Sequence, residues 1–364
     1  MSNLPIDLES IAQRVGALIE PVTGKSLLEI GAISDLKFAK GNVDITLTFG
    51  FVCDGLQQAL SQQIWQSCQT IDGVESVNVN IDCVIPDGRH VAELPLLHGV
   101  KHVIAVSSGK GGVGKSTTSV NLALALQAEG AKVGILDADI YGPSQPQLLG
   151  VGGQRPEAQN QTIMPIVSHG IACMSMGFLV TENTPMVWRG PMASGAFQQI
   201  IGQTQWGELD YLIVDMPPGT GDIQLTLSQK IPLSGAVIVT TPQDLALLDA
   251  KKGIEMFRKV HVDILGVIEN MSTHVCSNCG HEEPIFGEGG GALISQQYST
   301  QLLGSLPLSL SIRKDADSGR PSLIADAESD ISLRYREIAR KVSAQIWLNG
   351  KAKASTPMIE IDND

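Results

Sequence analysis

A glycine-rich stretch at residues 107–117 has the residue types and the spacing of a phosphate-binding loop. Gly109 is followed, after four residues, by Gly114, Lys115 and Ser116, which is the spacing of a P-loop. Glycines let backbone N–H groups approach phosphate oxygens, the lysine supplies a cation for the β- and γ-phosphates, and the serine hydroxyl is a ligand for Mg²⁺. The residues predicted to bind the nucleotide here are Gly109, Lys110, Gly111, Gly112, Val113, Gly114, Lys115, Ser116 and Thr117.

Lys110 is a second lysine inside this loop, five positions before Lys115. An ordinary P-loop does not require a cation at that position. The residue is therefore either a solvated loop lysine or a second cation that contacts phosphate.

Three aspartates follow apolar runs that read as strands. Asp137 and Asp139 come after one run, and Asp215 ends a later one. Ligands of parallel sheets bind beyond the carboxyl ends of the strands, so these carboxylates can hold Mg²⁺ through water or orient an attacking water. An aspartate at a strand end is also common as a helix N-cap.

Cys276 and Cys279 form a CxxC pair in a polar, glycine-containing turn. Thiolates at this spacing can face one metal and select zinc, Cu(I) or an iron–sulfur cluster, but a tetrahedral site needs four ligands. His274 and His281 would complete a zinc site in one chain, whereas two chains would supply four thiolates to a shared cluster. A redox pair and an inert pair are further alternatives. Of the other cysteines, Cys68, Cys83 and Cys173 lie on apolar faces and fit a core, while Cys53 precedes a predicted helix and is left open.

Two patterns of apolar residues indicate how these groups are positioned. Residues 1–84 combine alternating strands at 43–49 and 77–83 with helical stripes, which predicts a small α+β domain of order α-β-β-α-β. Residues 85–99 read as a linker. From 100 to 349, short non-alternating apolar runs alternate with helices, as in strands buried on both faces of a parallel sheet. These runs are residues 102–106, 133–136, 170–174, 211–214, 235–239 and 264–268.

The predicted fold class is therefore α/β: a doubly wound, mostly parallel sheet of the P-loop NTPase type, preceded by a small α+β domain. A last helix is predicted at 331–347, and residues 350–364 are predicted to be a disordered tail.

The charge and the apolar content of the chain argue against some classes of partner. The chain has 364 residues with 38 acidic and 25 basic side chains, a net charge of −13, which argues against nucleic acid as the main partner. No secretory signal and no apolar run of about 18 residues is visible, so we expect no membrane partner and a cytoplasmic location. In that reducing compartment, paired cysteines indicate metal or redox chemistry more often than a disulfide.

The assembled motifs resemble a known family. The segment 110–117 resembles the deviant Walker A motif of the MinD/ParA/nitrogenase-iron-protein class of P-loop ATPases. Residues 137–144, residues 214–222 and the pair Cys276 and Cys279 together resemble the Mrp/ApbC branch of iron–sulfur cluster carrier ATPases. The N-terminal domain is similar to the small MIP18-type (DUF59) module that precedes this ATPase in many bacterial members.

This resemblance implies a homodimeric ATPase that takes a labile [4Fe-4S] cluster from a donor scaffold and passes it to apo iron–sulfur proteins. It further implies that Lys115 contacts phosphate in its own chain and that Lys110 reaches the partner's nucleotide. It gives Ser116 the role of Mg²⁺ ligand, and Asp139 that of orienting the attacking water.

The remaining roles also follow from the resemblance. Asp215 would support the metal, Gly219 would sense the γ-phosphate through its backbone, and Asn270 would bind adenine through its amide. Cys276 and Cys279 of each chain would bridge one cluster. The alternatives are a MinD/ParA-like positioning ATPase and an ATPase with a structural zinc site.

Overall fold

The protein is described from a computed structural model at residues 8–88, 97–159, 162–178, 190–276 and 278–355. The start of the first predicted helix, most of the predicted linker and the end of the predicted tail lie outside these residues. The chain divides into two compact units, a small one of residues 1–86 with 343–364 and a large one of residues 87–342.

The small unit has the predicted order α-β-β-α-β. Its elements are α1 (Leu8–Gly16), β1 (Ile33–Ala39), β2 (Asn42–Phe49), α2 (Gln57–Gln69) and β3 (Ser76–Cys83). β2 lies between the other two strands, antiparallel to β1 and parallel to β3. The alternation predicted for β2 is present, because every second residue from Val43 to Phe49 is buried. The buried face packs with α1 and α2 into one core.

The large unit alternates strands and helices along the chain. Its elements are β4 (Val100–Ser107), α3 (Lys115–Ala128), β5 (Val133–Asp137), α4 (Gln145–Leu148), β6 (Ala158–Gln159), β7 (Thr162–Ile163), β8 (Ile166–Ser168), β9 (Ile171–Ser175), α5 (Gly190–Gln203), β10 (Leu209–Asp215), α6 (Asp222–Lys230), β11 (Gly235–Thr240), α7 (Asp244–Lys259), β12 (Ile264–Glu269), β13 (His274–Val275), β14 (Glu282–Glu283), α8 (Gly290–Gln297), β15 (Leu302–Ser305), α9 (Leu310–Asp317), α10 (Ser322–Ala325) and the part of α11 (Asp330–Ser355) that precedes Ser343.

The main sheet of this unit has the strand order β15-β12-β11-β4-β10-β5-β9-β8. Neighbouring strands are parallel except for β8, which runs antiparallel to β9. The six predicted strands are all present, and the predicted mostly parallel α/β fold is confirmed. β5 and β11 are buried along their whole length, so helices and loops cover both faces of the sheet. The carboxyl ends of the parallel strands consequently share one edge, where ligands bind in such sheets.

The last helix differs from its predicted bounds. α11 is 26 residues long and continues to Ser355, so the predicted ATPase boundary at 349 and the start of the disordered tail at 350 differ from the structure. From Ser343 onward the chain belongs to the small unit. There the Trp347 ring lies 5.5 Å from that of Phe51, and the Lys351 ammonium sits 4.0 Å from the Trp347 ring centroid. Because the residues after 349 are mostly polar, this packing was not predicted. Among the described residues, no helix combines the length and the apolar character needed to cross a membrane.

Candidate functional site

The predicted phosphate loop connects β4 to α3 at the carboxyl edge of the sheet. Gly112 and Gly114 have φ values of 80° and 83°, a left-handed conformation that favours glycine. A Cβ atom at Gly109 would lie 2.1 Å from the backbone carbonyl carbon of Asp249, so only glycine fits against α7 there. A Cβ atom at Gly111 or Gly112 would meet open space. The loop is thus packed on one side and leaves backbone accessible on the other, as a phosphate cradle requires.

Lys115 opens α3 and is paired with a buried carboxylate. Its Nζ lies 2.6 Å from Oδ1 of Asp215, and both side chains are nearly inaccessible, at 6% and 0% exposure. The Ser119 hydroxyl donates to the same oxygen at 2.8 Å. Lys115 Nζ also lies 3.2 Å from the hydroxyl of Ser116, which shares the first turn of α3 with Thr117. The lysine predicted to contact phosphate is therefore held by Asp215 in this structure.

The second oxygen of Asp215 accepts a hydrogen bond from a residue that the sequence analysis missed. Gln145 Nε2 donates to Oδ2 at 2.8 Å and also to the backbone oxygen of Ser116 at 3.0 Å. Ser119 was missed as well, although it lies four residues after Lys115 and therefore on the same helical face. Gln145 gave no such signal, because it follows a loop and has no periodic relation to the other site residues.

Asp137 accepts hydrogen bonds from the backbone at the start of α4. Its Oδ2 accepts backbone hydrogen bonds from Ser144 at 2.9 Å and Gln145 at 3.0 Å, and its Oδ1 accepts one from the N–H of Asp139 at 3.1 Å. Complete burial, together with the negative charge of Asp215, raises the pKa of Asp137 to about 7. The carboxyl group therefore fixes the segment after β5, as an N-cap aspartate does.

Asp139 and Lys110 lie at the same edge, each with a long hydrogen bond. Asp139 is 9% exposed, and its Oδ1 accepts from the N–H of Gly142 at 3.2 Å. Lys110 Nζ lies 3.4 Å from the side-chain oxygen of Gln243, the residue before α7. The structure thus brings both residues to the loop region, and their roles toward water and toward a second nucleotide stay predictions.

Gly219 and Asn270 both donate hydrogen bonds to the phosphate loop. The N–H of Gly219 donates to the oxygen of Ser108 at 2.9 Å, and Gly219 has a φ of 100°. The amide of Asn270 donates to the oxygen of Val113 at 2.8 Å. The two donors predicted for the γ-phosphate and for adenine are therefore engaged with the loop itself in this structure, and those two roles stay predictions.

The CxxC pair occupies the turn of a small hairpin. β13 and β14 pair antiparallel, and the N–H of Cys276 donates to the oxygen of His281 at 2.9 Å. Backbone N–H groups of Asn278 and Cys279 point at the Cys276 sulfur and lower the pKa of its thiol. Cys276 is half-buried and Cys279 is exposed. The turn of the hairpin therefore favours the thiolate form of Cys276 and leaves Cys279 exposed.

The described residues of one chain do not complete a metal site at this hairpin. Across the described residues, no three His, Cys, Asp or Glu side chains come together as metal donors, so His274 and His281 do not join the two thiols. Cys53, which the sequence left open, is buried and not exposed to a ligand. Any further donors to Cys276 and Cys279 must come from outside the described part of the chain.

Comparison with curated proteins gives relatives that span most of the chain. An "Iron-sulfur cluster carrier protein" of Salmonella typhimurium is 52% identical over 332 residues, 91% of this chain and 90% of that protein. A protein of the same name from Pseudomonas fragi is 61% identical over 271 residues, 74% of this chain and 94% of its own length. The "Iron-sulfur cluster transfer protein NUBPL" of Mus musculus is 53% identical over 248 residues, 68% and 78% of the two chains.

Solved structures agree with the fold. The nucleotide-binding protein of Archaeoglobus fulgidus, solved in complex with ADP, is 38% identical, with a TM-score of 0.57 over 65% of this chain and 92% of that one. The cell division ATPase MinD of Pyrococcus furiosus has a TM-score of 0.51 over 66% and 98% of the two chains, but at 20% identity it shows the fold alone.

Two family models divide the chain between them. Residues 9–81 match the iron–sulfur cluster assembly protein model, which confirms the resemblance stated for the N-terminal domain. Residues 99–343 match the model described as "NUBPL iron-transfer P-loop NTPase". That match covers more than half of the chain and contains the loop at 109–117, Asp215 and the CxxC hairpin. The chain is therefore a P-loop ATPase, and it belongs to the NUBPL iron-transfer P-loop NTPase family.

Proposed function

We propose that this protein is an ATP-hydrolysing carrier of iron–sulfur clusters. Two copies of the chain hold one [4Fe-4S] cluster as cargo between their Cys276 and Cys279 thiolates, take it from a donor scaffold and deliver it to apo-proteins. Curated relatives that match 91% of this chain are named for cluster carriage. The observation that carries the proposal is the hairpin itself, which offers two thiols with a lowered pKa at Cys276 and lacks a third donor among the described residues.

The nucleotide chemistry follows from the site at the sheet edge. An arriving triphosphate competes with Asp215 for the Lys115 ammonium and occupies the open side of the loop at Gly111 and Gly112. The hydroxyl of Ser116 and the carboxylate of Asp215 are hard oxygen donors of the kind that suits Mg²⁺. When bound, the ion neutralises phosphate charge.

Four further residues complete the proposed mechanism. Asp139 orients the attacking water from the segment after β5. Lys110 leaves Gln243 and contacts the nucleotide of the second copy. The N–H of Gly219 exchanges the oxygen of Ser108 for the γ-phosphate, so that the segment before α6 moves with the nucleotide state. Asn270 binds adenine once its amide leaves Val113.

The cargo chemistry needs thiolates, since the thiolate rather than the thiol binds iron. The N–H groups of Asn278 and Cys279 favour the thiolate of Cys276 before any metal arrives. Each chain supplies two sulfur ligands, and a two-fold dimer supplies the four that a [4Fe-4S] cluster requires. Exposure of Cys279 leaves the cluster accessible to an acceptor protein.

Anaerobic reconstitution with iron and sulfide tests the proposal. The wild-type protein should bind about four irons and four sulfides per dimer and gain the broad visible absorption of such clusters. The Cys276→Ala and Cys279→Ala variants should each lose this absorption and the bound sulfide. Full retention of sulfide in either variant would overturn the assignment.

A matched variant separates the cluster from a structural zinc site. His281→Ala leaves both thiols in place, and a cluster carrier should reconstitute normally with it. If His281→Ala abolished metal binding, or if the wild-type protein bound zinc but no sulfide under the same anaerobic conditions, a single-chain zinc site would replace the proposed shared cluster.

A further inference from the structure

Gln145 joins three parts of the nucleotide site. It is the first residue of α4 and is completely buried. Its side-chain amide donates to Oδ2 of Asp215 at 2.8 Å and to the backbone oxygen of Ser116 at 3.0 Å. Its own N–H donates to Asp137 at 3.0 Å. One residue thus connects the end of β10, the first turn of α3 and the end of β5.

The two oxygens of Asp215 have different partners. Oδ1 accepts from Lys115 and Ser119, whereas Gln145 is the donor to Oδ2 among the described residues. When Lys115 turns to a phosphate, Asp215 keeps two neutral donors, one on each oxygen. The single hydrogen of the Ser119 hydroxyl is shared between Asp215 and the backbone oxygen of Lys115, at 2.8 and 3.0 Å, whereas the Gln145 amide has two hydrogens and donates one to each of its two acceptors. The carboxylate orientation after nucleotide binding therefore depends mainly on Gln145.

We propose that Gln145 is a positioning residue for ATP hydrolysis, which fixes the Asp215 carboxylate relative to Ser116. The inference rests on the proposed function, because it assigns both Ser116 and Asp215 to the divalent cation. A carboxylate that can rotate away from Ser116 no longer offers its oxygen at a constant distance, and small displacements in a site of this kind cost up to about a hundredfold in rate.

The first test removes both hydrogen bonds that the Gln145 amide donates, with little change in side-chain volume. Gln145→Met should leave the affinity for ADP in EDTA within about twofold of wild type. In the ADP complex it should lower the affinity for Mn²⁺, measured by electron paramagnetic resonance, by about tenfold. Turnover at saturating ATP and Mg²⁺ should fall by between about tenfold and a hundredfold. Gln147→Met, at an exposed position on the same helix, should change none of these three quantities.

A second variant tests the same proposal if Gln145→Met does not fold. Gln145→Asn keeps a side-chain amide but is one methylene shorter, so it cannot donate to Asp215 and to Ser116 at once. The Asp215 carboxylate is then no longer fixed relative to Ser116. Turnover and the affinity for Mn²⁺ in the ADP complex should therefore fall below wild type in Gln145→Asn as well, while the affinity for ADP in EDTA stays that of wild type.

The outcomes separate this inference from the proposed function. Wild-type protein that neither binds ADP nor turns over ATP would overturn the proposed function. Active wild type, with unchanged Mn²⁺ affinity and turnover in folded Gln145→Met, would overturn the positioning role alone. Wild-type Mn²⁺ affinity and turnover in folded Gln145→Asn would overturn it as well.

Discussion

The phosphate loop and the cysteine hairpin lie in the same unit but are built in opposite ways. At the loop, Lys115 and Asp215 are nearly inaccessible to solvent and have partners from β10, α3 and α4 within one chain. At the hairpin, Cys279 is exposed, and the pair gains no third donor from the described residues. The buried ion pair of the first site has its partners within one chain, whereas the second site offers two of the four donors that a tetrahedral metal site needs.

This difference follows from where each site lies in the fold. Parallel strands bring residues that are distant in sequence to one edge, so the ends of β4, β5 and β10 meet without further help. A hairpin whose two strands have only two residues each brings together only residues that are close in sequence. Changes at the loop should therefore alter both stability and turnover, while changes at the hairpin should alter metal content and thiol reactivity.

The largest effect is expected from Lys115→Ala. Turnover of ATP should fall by about 10²–10³-fold, because a cation at the transferring phosphoryl group is lost. Stability of the nucleotide-free protein should also fall, by about 3–5 kcal/mol, because Asp215 is left as a buried charge without its cation. Turnover assays and denaturant titrations measure the two quantities, and anaerobic iron content should remain that of wild type.

The matched control for this variant is Lys252→Ala. Lys252 forms an ion pair with Asp249 at 2.9 Å, but the lysine side chain is 67% exposed, and such surface pairs contribute at most about 1 kcal/mol. Turnover and stability should both stay near wild type. We expect iron to bind at the hairpin independently of the nucleotide site. If Lys115→Ala lost iron in proportion to its loss of turnover, that independence would be contradicted.

A smaller effect is expected from the buried carboxyl group of Asp137. Its pKa of about 7 in the folded protein lies above the ordinary value, so the folded state retains the proton more strongly than the unfolded state does. The resulting stabilisation is complete below about pH 4 and is lost as the pH rises toward 7, with a slope of at most about 1.4 kcal/mol per pH unit.

Urea titrations of nucleotide-free protein between pH 5 and pH 7.5 measure that slope. Asp137→Asn carries no ionisable group at this position and should lack the decrease. Equal slopes for wild type and Asp137→Asn would mean that the carboxyl group ionises as readily in the folded state as in the unfolded one, contrary to its burial beside Asp215.

The fold could be predicted from the sequence almost completely, because its determinants are periodic. Apolar runs of four or five residues identified β4, β5, β9, β10, β11 and β12, and alternation identified β2. The exceptions lacked such patterns. β15 contains two leucines followed by Gly304, too short a run to stand out. The extension of α11 to Ser355 depends on the packing of Trp347 and Lys351 in the small unit, which no local pattern encodes.

The site could be predicted where its residues belong to a contiguous motif and not where they meet through space. Lys115 and Asp215 were found from the glycine spacing and the strand end. The contact of Gln145 with Asp215 joins residues 70 positions apart, and that of Gly219 with Ser108 depends on the path of the loops. Such partners are set by strand order, which the sequence restricts but does not specify.

The smallest effect is expected at the hairpin, in the relative alkylation rates of its two thiols. Access alone favours Cys279, which is the more exposed. The N–H groups of Asn278 and Cys279, however, lower the pKa of Cys276, and the thiolate is the reactive form. At pH 7, metal-free protein should therefore be alkylated by iodoacetamide several-fold faster at Cys276, as resolved by peptide mass spectrometry. The preference should diminish as the pH rises, because a lowered pKa favours Cys276 only while the pH limits thiolate formation. Faster reaction of Cys279 at pH 7 would show that exposure outweighs these hydrogen bonds, and the hairpin would then not be preorganised to bind metal before a second copy arrives.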